Sequence, residues 1–223
     1  EAYAAARDVW LRLPASNISD RSLHLEAATL FWDYYLFDDS LKAIQEYRRL
    51  ANEPAAMAYE MGAIYEDGKA TEKVLAEYVQ AAALGTSTTP AGTYGLVNAS
   101  QAFTPSSSEE GSSFVTGGDE RAYKRLRFLA LRRNLGNAID AEFRKRVQTD
   151  APPHPFALAY SRHLGNLKRL EDLRKFLLER VSSAPDRDFL NRVQPLIQQH
   201  GFYEVQEAGL KRQIALVTVP DQQ

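Results

Sequence analysis

The 223-residue chain contains no cysteine, so it can form neither disulfides nor thiolate metal sites. Cysteine-free proteins occur in reducing and in oxidising compartments, and this absence leaves the compartment open. The longest apolar runs, such as residues 214–217, are only a few residues long, whereas a membrane-spanning helix needs about 20 apolar residues. We therefore expect no membrane span. The remaining composition, with 44% apolar and 25% charged residues, is typical of a soluble globular protein.

Recognisable catalytic and ligand-binding motifs are also missing. The sequence has no His-Glu-x-x-His pattern, no Gly-x-Ser-x-Gly elbow and no phosphate-binding loop. The few histidines are widely separated, without a partner at metal-ligand spacing, and we interpret them as helix-surface or turn residues: His24, His154, His163 and His200. The adjacent Glu66 and Asp67 are interpreted as residues that cap and solubilise a turn. We therefore predict no catalytic, cofactor or metal site and no enzymatic activity.

Charge is divided unevenly along the chain. Residues 1–118 carry 8 basic and 16 acidic side chains, whereas residues 119–223 carry 19 and 13. Such asymmetry indicates different partners for the two halves or head-to-tail self-contact, although unequal halves also arise by drift. The chain begins with Glu1 rather than Met, which we interpret as the cut or processed end of a longer protein.

Apolar residues recur at helical spacing along almost the whole chain. The first predicted hairpin joins a helix around residues 23–35 to a helix around residues 41–50. Asp39 or Ser40 is expected to cap the second of these helices. Strand-like alternation of apolar and polar residues is found only around residues 214–219.

The same hairpin pattern returns 31 residues further along the chain. The corresponding landmarks are Ala27, Leu30, Phe31, Tyr34, Ala43, Tyr47 and Leu50 in the first hairpin and Ala58, Met61, Gly62, Tyr65, Val74, Tyr78 and Ala81 in the second. A third unit begins around residues 91–95 and runs into a Ser- and Gly-rich stretch at 104–118, which is predicted to be a loop or linker. This periodicity predicts stacked helical hairpins.

Beyond that loop the repeat takes another form. Residues 133–137 and 162–166 share Arg, Leu, Gly and Asn at the same positions. In each segment we expect Gly to adopt a positive φ at a helix end and Asn to cap the following helix. A last helix pair is predicted to turn at His200 and Gly201. The predicted domains are residues 1–103 and 119–223, joined by the loop at 104–118.

The spacing of small and large residues resembles the tetratricopeptide repeat in residues 24–55 and 56–85. The residues that carry this resemblance are Leu30, Phe31, Tyr34, Ala43, Tyr47, Leu50 and Pro54 in the first unit. Residues 61–68 and 76–82 also resemble the Sel1-like variant. The resemblance implies an all-α fold, a right-handed α-α superhelix of about six antiparallel helix pairs. It further implies a non-enzymatic scaffold that binds a peptide or protein segment on its concave surface.

Five residues are predicted to contact that partner: Trp32, Tyr35, Tyr59, Arg125 and Arg132. Tetratricopeptide modules that clamp a C-terminal carboxylate carry Lys and Asn one turn apart on the first helix of the hairpin. The corresponding positions here hold Ala28 and Trp32, then Tyr59 and Ala63, so binding of an acidic chaperone tail is disfavoured. The aromatic residues instead indicate an apolar or aromatic ligand surface.

Two alternatives remain open at this stage. The basic segment at residues 121–146 could attract an acidic protein, nucleic acid or an anionic membrane surface, or it could simply be the solvated face of an amphipathic helix. Nucleic acid is the least favoured of these partners. The chain could also be a superhelical accessory domain of a larger cell-envelope or carbohydrate-processing protein.

Overall fold

A computed structural model describes residues 2–85, 118–183 and 187–218, and every regular element within those ranges is an α-helix. In chain order these helices are α1 (Ala2–Ser16), α2 (Arg21–Asp33), α3 (Phe37–Ala51), α4 (Ala58–Asp67), α5 (Thr71–Leu84), α6 (Glu120–Arg132), α7 (Gly136–Gln148), α8 (Pro155–Asn166), α9 (Leu170–Ser182), α10 (Arg187–His200) and α11 (Tyr203–Thr218). The predicted all-α class is confirmed. None of the described helices is long and apolar enough to cross a lipid bilayer.

The chain divides into two compact units. The first unit contains α1 to α5 together with residues 118–126, which form the start of α6. The second unit contains the described residues from Arg127 onward. The predicted third repeat at residues 91–95 lies outside the described residues, as does the predicted loop at 104–118 except for Gly118.

The first unit is built from two helical hairpins, α2 with α3 and α4 with α5, and α1 packs against α2. Asp20 begins α2 because its side chain accepts a hydrogen bond from the backbone N–H of Ser22 at 2.9 Å. The buried apolar side chains face inward at helical spacing: Ala27, Ala28, Phe31, Ala43, Ile44, Met61 and Ile64. Residues of both hairpins therefore share one core, as stacked hairpins require.

The second hairpin of the first unit depends on one close approach. A Cβ atom added to Gly62 would lie 2.6 Å from Cε1 of Tyr78, far inside van der Waals contact. The ring of Tyr78 is 1% exposed and occupies the space beside Gly62. The predicted correspondence between Gly62 and Phe31 is wrong, because Leu36 and Ala70 donate to the equivalent carbonyls of Phe31 and Tyr65, which lie 34 residues apart. Gly62 is thus equivalent to Ala28.

The second unit packs neighbouring helices in the same manner. Contacts join α7 to α8, α8 to α9 and α10 to α11, and α9 also packs against α11. Its core centres on Tyr160, whose ring stacks on Phe143 at 5.1 Å and meets the edge of Phe176 at 4.9 Å. Aromatic contacts of this kind add about 0.5–1.5 kcal/mol beyond the area that they bury.

One turn geometry recurs between the two helices of successive hairpins. A residue with positive φ follows the first helix at Tyr35, Lys69, Asn134, Lys168 and Gly201. Tyr35 and Lys69 are 34 residues apart, and so are Asn134 and Lys168. In four of these turns the next N–H donates to the carbonyl five residues earlier: Leu36 to Phe31, Ala70 to Tyr65, Arg169 to Leu164 and Phe202 to Ile197, at 2.8–3.1 Å. The backbone therefore repeats with a period of about 34 residues in both units. The 31-residue offset predicted for the first two hairpins is wrong, because the loop between α3 and α4 adds residues that the landmark residues did not reveal.

The predicted caps of α3 are wrong. The helix begins at Phe37 after Leu36, so Asp39 and Ser40 lie inside its first turn. Asp39 instead pairs with the guanidinium of Arg7, at 2.9 Å for Oδ1, and the hydroxyl of Ser40 donates to the carbonyl of Ala28 at 2.8 Å. Neither side chain caps α3, because Asp39 binds Arg7 of α1 and Ser40 binds the backbone of α2.

The predicted roles of the Leu-Gly-Asn segments are also wrong. Gly136 begins α7, and Gly165 and Asn166 lie within α8, while the positive φ falls on Asn134 and Lys168. A turn set by backbone hydrogen bonds can therefore place a non-glycine residue at the left-handed position.

At the C-terminal end one prediction is confirmed and one is wrong. The turn at His200 and Gly201 is present, with a φ of +63° at Gly201. The strand-like alternation at residues 214–219 is misleading, because α11 continues to Thr218. Extending a helix adds one backbone hydrogen bond for each residue that is fixed, and α11 is already anchored by the buried Val205.

Candidate functional site

The first unit contains a groove of about 590 Å³. Its walls come from the end of α3, the loop between α3 and α4, the start of α4, the end of α5 and the residues that begin α6. The lining residues are Tyr47, Asn52, Glu53, Pro54, Ala55, Ala56, Met57, Ala58, Tyr59, Glu60, Ala81, Leu84, Gly85, Asp119 and Arg121. Most of these residues are apolar or aromatic, and the charged ones are few.

The loop that forms one wall is held by side chains of the surrounding helices. Arg48 donates through Nε to the carbonyl of Ala56 at 2.6 Å, and Gln80 donates to the carbonyl of Pro54 at 2.8 Å. Arg48 also forms two hydrogen bonds to the carboxylate of Glu77, at 2.8 and 3.2 Å. Since both partners of this pair are largely buried, the shape of the groove is fixed from α3 and α5.

A compact charged cluster forms part of the lining of the groove. Asp119 accepts a hydrogen bond from the backbone N–H of Arg121 at 2.9 Å, which is the bond expected of a helix N-cap. The guanidinium of Arg121 then lies 2.6 Å from Oδ2 of Asp119 and 2.9 Å from Oε1 of Glu60. Glu60 is only 4% exposed. Two buried carboxylates therefore share one guanidinium.

The electrostatics of this cluster follow from its burial. Burial raises the pKa of Glu60, and the charge of Arg121 offsets only part of that effect. Burial opposes the charge on Arg121 itself, but its bonds to Asp119 and its interaction with Glu60 outweigh that effect and raise the pKa of Arg121. The guanidinium also lies over the ring of Tyr59, 4.4 Å from its centroid. Burial raises the pKa of Tyr59 to about 12.

A second ion pair joins the same two helices further along, between Glu66 of α4 and Arg125 of α6. Glu66 accepts hydrogen bonds from Nε of Arg125 at 2.9 Å and from the hydroxyl of Tyr78 at 3.0 Å. Glu66 therefore does not act as the solvated turn residue that the sequence suggested. Its carboxylate connects α4 to both α5 and α6, and it places the ring of Tyr78 against Gly62.

Of the predicted partner contacts, Tyr59 alone lines the groove. Trp32 packs partly buried against the core of the first unit and meets the edge of Phe37 at 5.7 Å. Tyr35 is 80% exposed and also lies beside Phe37, at 6.0 Å. The structure thus places Trp32 and Tyr35 together at the turn between α2 and α3, and it places Tyr59 elsewhere in the same unit.

The predicted basic contacts belong to different compact units. Arg125 lies in the first unit with its guanidinium bound to Glu66, and its side chain is 15% exposed. Arg132 lies in the second unit and is exposed. Because Arg121 and Arg125 are both paired with acids, the basic segment offers less unpaired charge than its sequence indicates.

The histidines are less exposed than predicted. The surface interpretation is wrong for His24 and His163, which are buried in α2 and α8, and His154 lies in a turn as expected but is also buried. His163 is fully buried, with its ring 5.2 Å from that of Phe143. Burial lowers its pKa to about 4, and the charge of Arg169 acts in the same direction. Within the ranges that the structure describes, no three His, Asp or Glu residues are arranged to hold a metal ion.

Sequence reasoning missed Glu60 and Asp119 as site residues. Asp119 carried a weak signal, since an Asp after two glycines and before an amphipathic helix is a typical N-cap. Glu60 carried none, because a polar residue in the first turn of a helix is usually solvated. Only the tertiary structure brings Glu60 within 2.9 Å of Arg121 at the start of α6.

No family model, curated protein or solved structure matches the chain. Function is therefore inferred from the geometry of the groove and from the chemistry of the residues that line it.

Proposed function

We propose that the chain is a non-enzymatic scaffold that binds a peptide or protein segment in the groove of the first unit. The observation that carries this proposal is the groove itself, which combines a largely apolar lining with a buried charged cluster. Binding sites commonly combine a largely apolar lining with a few fixed polar groups, in volumes of about 300–1,000 Å³. The groove, at about 590 Å³, lies within that range.

The composition of the groove supports a protein ligand. Tyr, Met and Arg are enriched at the centres of protein interfaces, and the lining includes Tyr47, Met57, Tyr59 and Arg121. The walls are also rigid, because the ion pair of Arg48 with Glu77 and the hydrogen bonds of the loop fix them before a ligand arrives. Such preorganisation reduces the entropy lost on binding.

The resemblance of residues 24–85 to tetratricopeptide repeats also favours peptide binding, since proteins of that family usually receive a peptide on their concave inner face. Nucleic-acid binding is less well supported, because Arg121 and Arg125 are already paired with carboxylates of the first unit. A role as an accessory domain of a larger envelope or carbohydrate-processing protein stays a prediction that no observed feature favours.

The proposal is tested by selecting peptides from a random display library against the whole chain. Each selected peptide is then titrated against the variant Ala55→Trp, which adds an uncharged ring to the groove wall. We expect at least about tenfold weaker binding, because the added ring fills the space that the peptide occupies. The matched control is Ala138→Trp on the exposed surface of α7, which should leave the affinity unchanged. Equal affinity for the two variants, or failure to select any peptide, would contradict the proposal.

A further inference from the structure

The charges that line the groove are unbalanced. Among the described residues that line the groove, three carry a carboxylate, Glu53, Glu60 and Asp119, and one carries a guanidinium, Arg121. Arg121 is shared by Asp119 and Glu60, and Glu53 lies exposed at the rim. A groove with this lining attracts positive charge and repels negative charge.

The buried carboxylate is also short of hydrogen bonds. Oε1 of Glu60 is inaccessible to solvent and lies 2.9 Å from Nη2 of Arg121, but among the described residues no donor meets it with hydrogen-bond geometry. An ionised carboxylate has about four acceptor sites, and leaving such a group unsatisfied in a buried position is unfavourable. Burial accordingly raises the pKa of Glu60. Oε1 of Glu60 therefore keeps acceptor capacity beyond its ion pair with Arg121.

The neighbouring groups suit a long basic side chain. Tyr47 and Tyr59 supply aromatic surface, and Met57 and Leu84 supply apolar surface against which an aliphatic stem can lie. The charged end of Lys or Arg would then reach the carboxylates in the lining of the groove. An acidic or phosphorylated segment would meet these carboxylates instead, with a guanidinium already engaged by two partners.

Resting on the proposed function, we infer that the segment bound in this groove carries a lysine or arginine whose cationic group pairs with Glu60 and Asp119. The partner is therefore a basic peptide segment, and the affinity depends on that one positive charge. The role of Glu60 is to bind the ligand, whereas Asp119 also holds Arg121 in position through its cap of α6.

The test uses the peptides selected by display and a synthetic pair for each of them. In one member of the pair the basic residue is kept, and in the other it is replaced by norleucine, which retains the aliphatic stem of lysine and removes the charge. We expect Lys or Arg to be enriched at one position of the selected peptides. Isothermal titration with the intact chain should show at least about tenfold weaker binding of the norleucine peptide.

A protein variant gives an independent measurement. Glu60→Gln keeps the shape of the side chain and removes its charge, so the preference for the basic peptide over its norleucine partner should fall at least about threefold. The control Glu72→Gln removes an exposed acid on α5 and should leave the preference unchanged. Circular dichroism establishes that each variant is folded, and the norleucine comparison on the unmodified chain needs no variant.

The outcomes separate the two proposals. Peptides that lose affinity for Ala55→Trp but show no dependence on a basic residue would overturn this inference and leave the proposed function standing. Peptides that bind Ala55→Trp unchanged would overturn both. A preference for basic peptides that persists in Glu60→Gln would overturn the role assigned to Glu60.

Discussion

The two compact units bury polar side chains in different ways. In the first unit, Glu60 and Asp119 are buried as an ion-pair cluster with Arg121 that lines a groove. In the second unit, His163 is fully buried against Phe143, and neither of its ring nitrogens has a hydrogen-bond partner among the described residues. Buried charges need partners of opposite charge. In the first unit, the carboxylates of Glu60 and Asp119 are paired with Arg121, and all three side chains line the groove. The neutral histidine of the second unit contributes to packing.

Because the pKa of His163 is lowered and that of Glu60 is raised, pH affects the stability of the two units in opposite directions. The pKa of His163 is lowered in the folded chain, so its contribution to stability is complete above the unfolded pKa and is lost as the pH falls. The pKa of Glu60 is raised, so its contribution is present below the unfolded pKa and is lost as the pH rises through the folded value. Acidification therefore weakens the second unit and favours the protonated Glu60 of the first.

The largest effect is expected when the guanidinium of Arg121, which Glu60 and Asp119 share, is removed. Arg121→Ala leaves Glu60 and Asp119 buried without their counter-charge, and we expect the first unit to lose roughly 3–5 kcal/mol of unfolding free energy. Both tryptophans of the chain, Trp10 and Trp32, lie in the first unit, so denaturant unfolding followed by tryptophan fluorescence reports on that unit. Adding Glu60→Gln to Arg121→Ala should restore part of the loss.

The control for this variant is Lys124→Ala, which removes an exposed cation from the same helix. It should change the stability by less than about 0.5 kcal/mol. If the two variants had the same effect, the cluster would not be the interaction that holds α6 in the first unit.

The next largest effect is the loss of stability of the second unit at low pH. The pKa of His163 falls from an ordinary 6.5 to about 4, so the unfolded chain binds a proton more readily between these values. We expect the second unit to lose about 3 kcal/mol as the pH falls from 6.5 to 4. Hydrogen exchange of the amides of Phe143 and Tyr160 at a series of pH values measures this loss.

His163→Leu should remove most of that pH dependence, because the side chain can no longer take up a proton. His200→Leu, at the end of α10, should retain it, since His163 is then unchanged. An unaltered acid response in His163→Leu would mean that another group in the second unit binds the proton.

A smaller change in stability is expected from glycine substitutions, because Gly62 in the first unit is closely packed and Gly136 in the second is not. Gly62→Ala in the first unit places a Cβ 2.6 Å from the ring of Tyr78, and overpacking of this kind costs about 1–3 kcal/mol. Gly136→Ala in the second unit meets no atom within 4 Å, and it should be neutral or stabilising by up to about 1 kcal/mol. Thermal unfolding followed by circular dichroism compares them, and similar losses in both variants would rule out the contact with Tyr78 as the cause.

The smallest effect concerns the repeated turn. Tyr35 in the first unit and Gly201 in the second occupy equivalent positions with positive φ. Tyr35→Gly should stabilise the first unit by up to about 1 kcal/mol, because glycine adopts this conformation without strain. Tyr35→Ala should give no such gain, since it keeps the Cβ. A clear loss in Tyr35→Gly, measured by tryptophan fluorescence, would show that the contact of Tyr35 with Phe37 outweighs the backbone strain.

Much of the local structure could be predicted from the sequence. The helical spacing of apolar residues located the hairpins, and the glycine after His200 marked a turn. Predictions failed where a side chain had a tertiary alternative to its local role. Asp39 was expected to cap a helix but binds Arg7, and Glu66 was expected to face solvent but binds Arg125 and Tyr78.

The sequence by itself determined the helices of this protein and their arrangement in hairpins, because spacing along the chain decides which residues share a helical face. Only the tertiary structure decided that Glu60, Asp119 and Arg121 meet in the lining of one groove. Glu60 is separated from the other two by about 60 residues of chain, and no periodic pattern specifies such a meeting. Burial then changes the chemistry of the side chains that are brought together, because the protein interior screens charge less than water does.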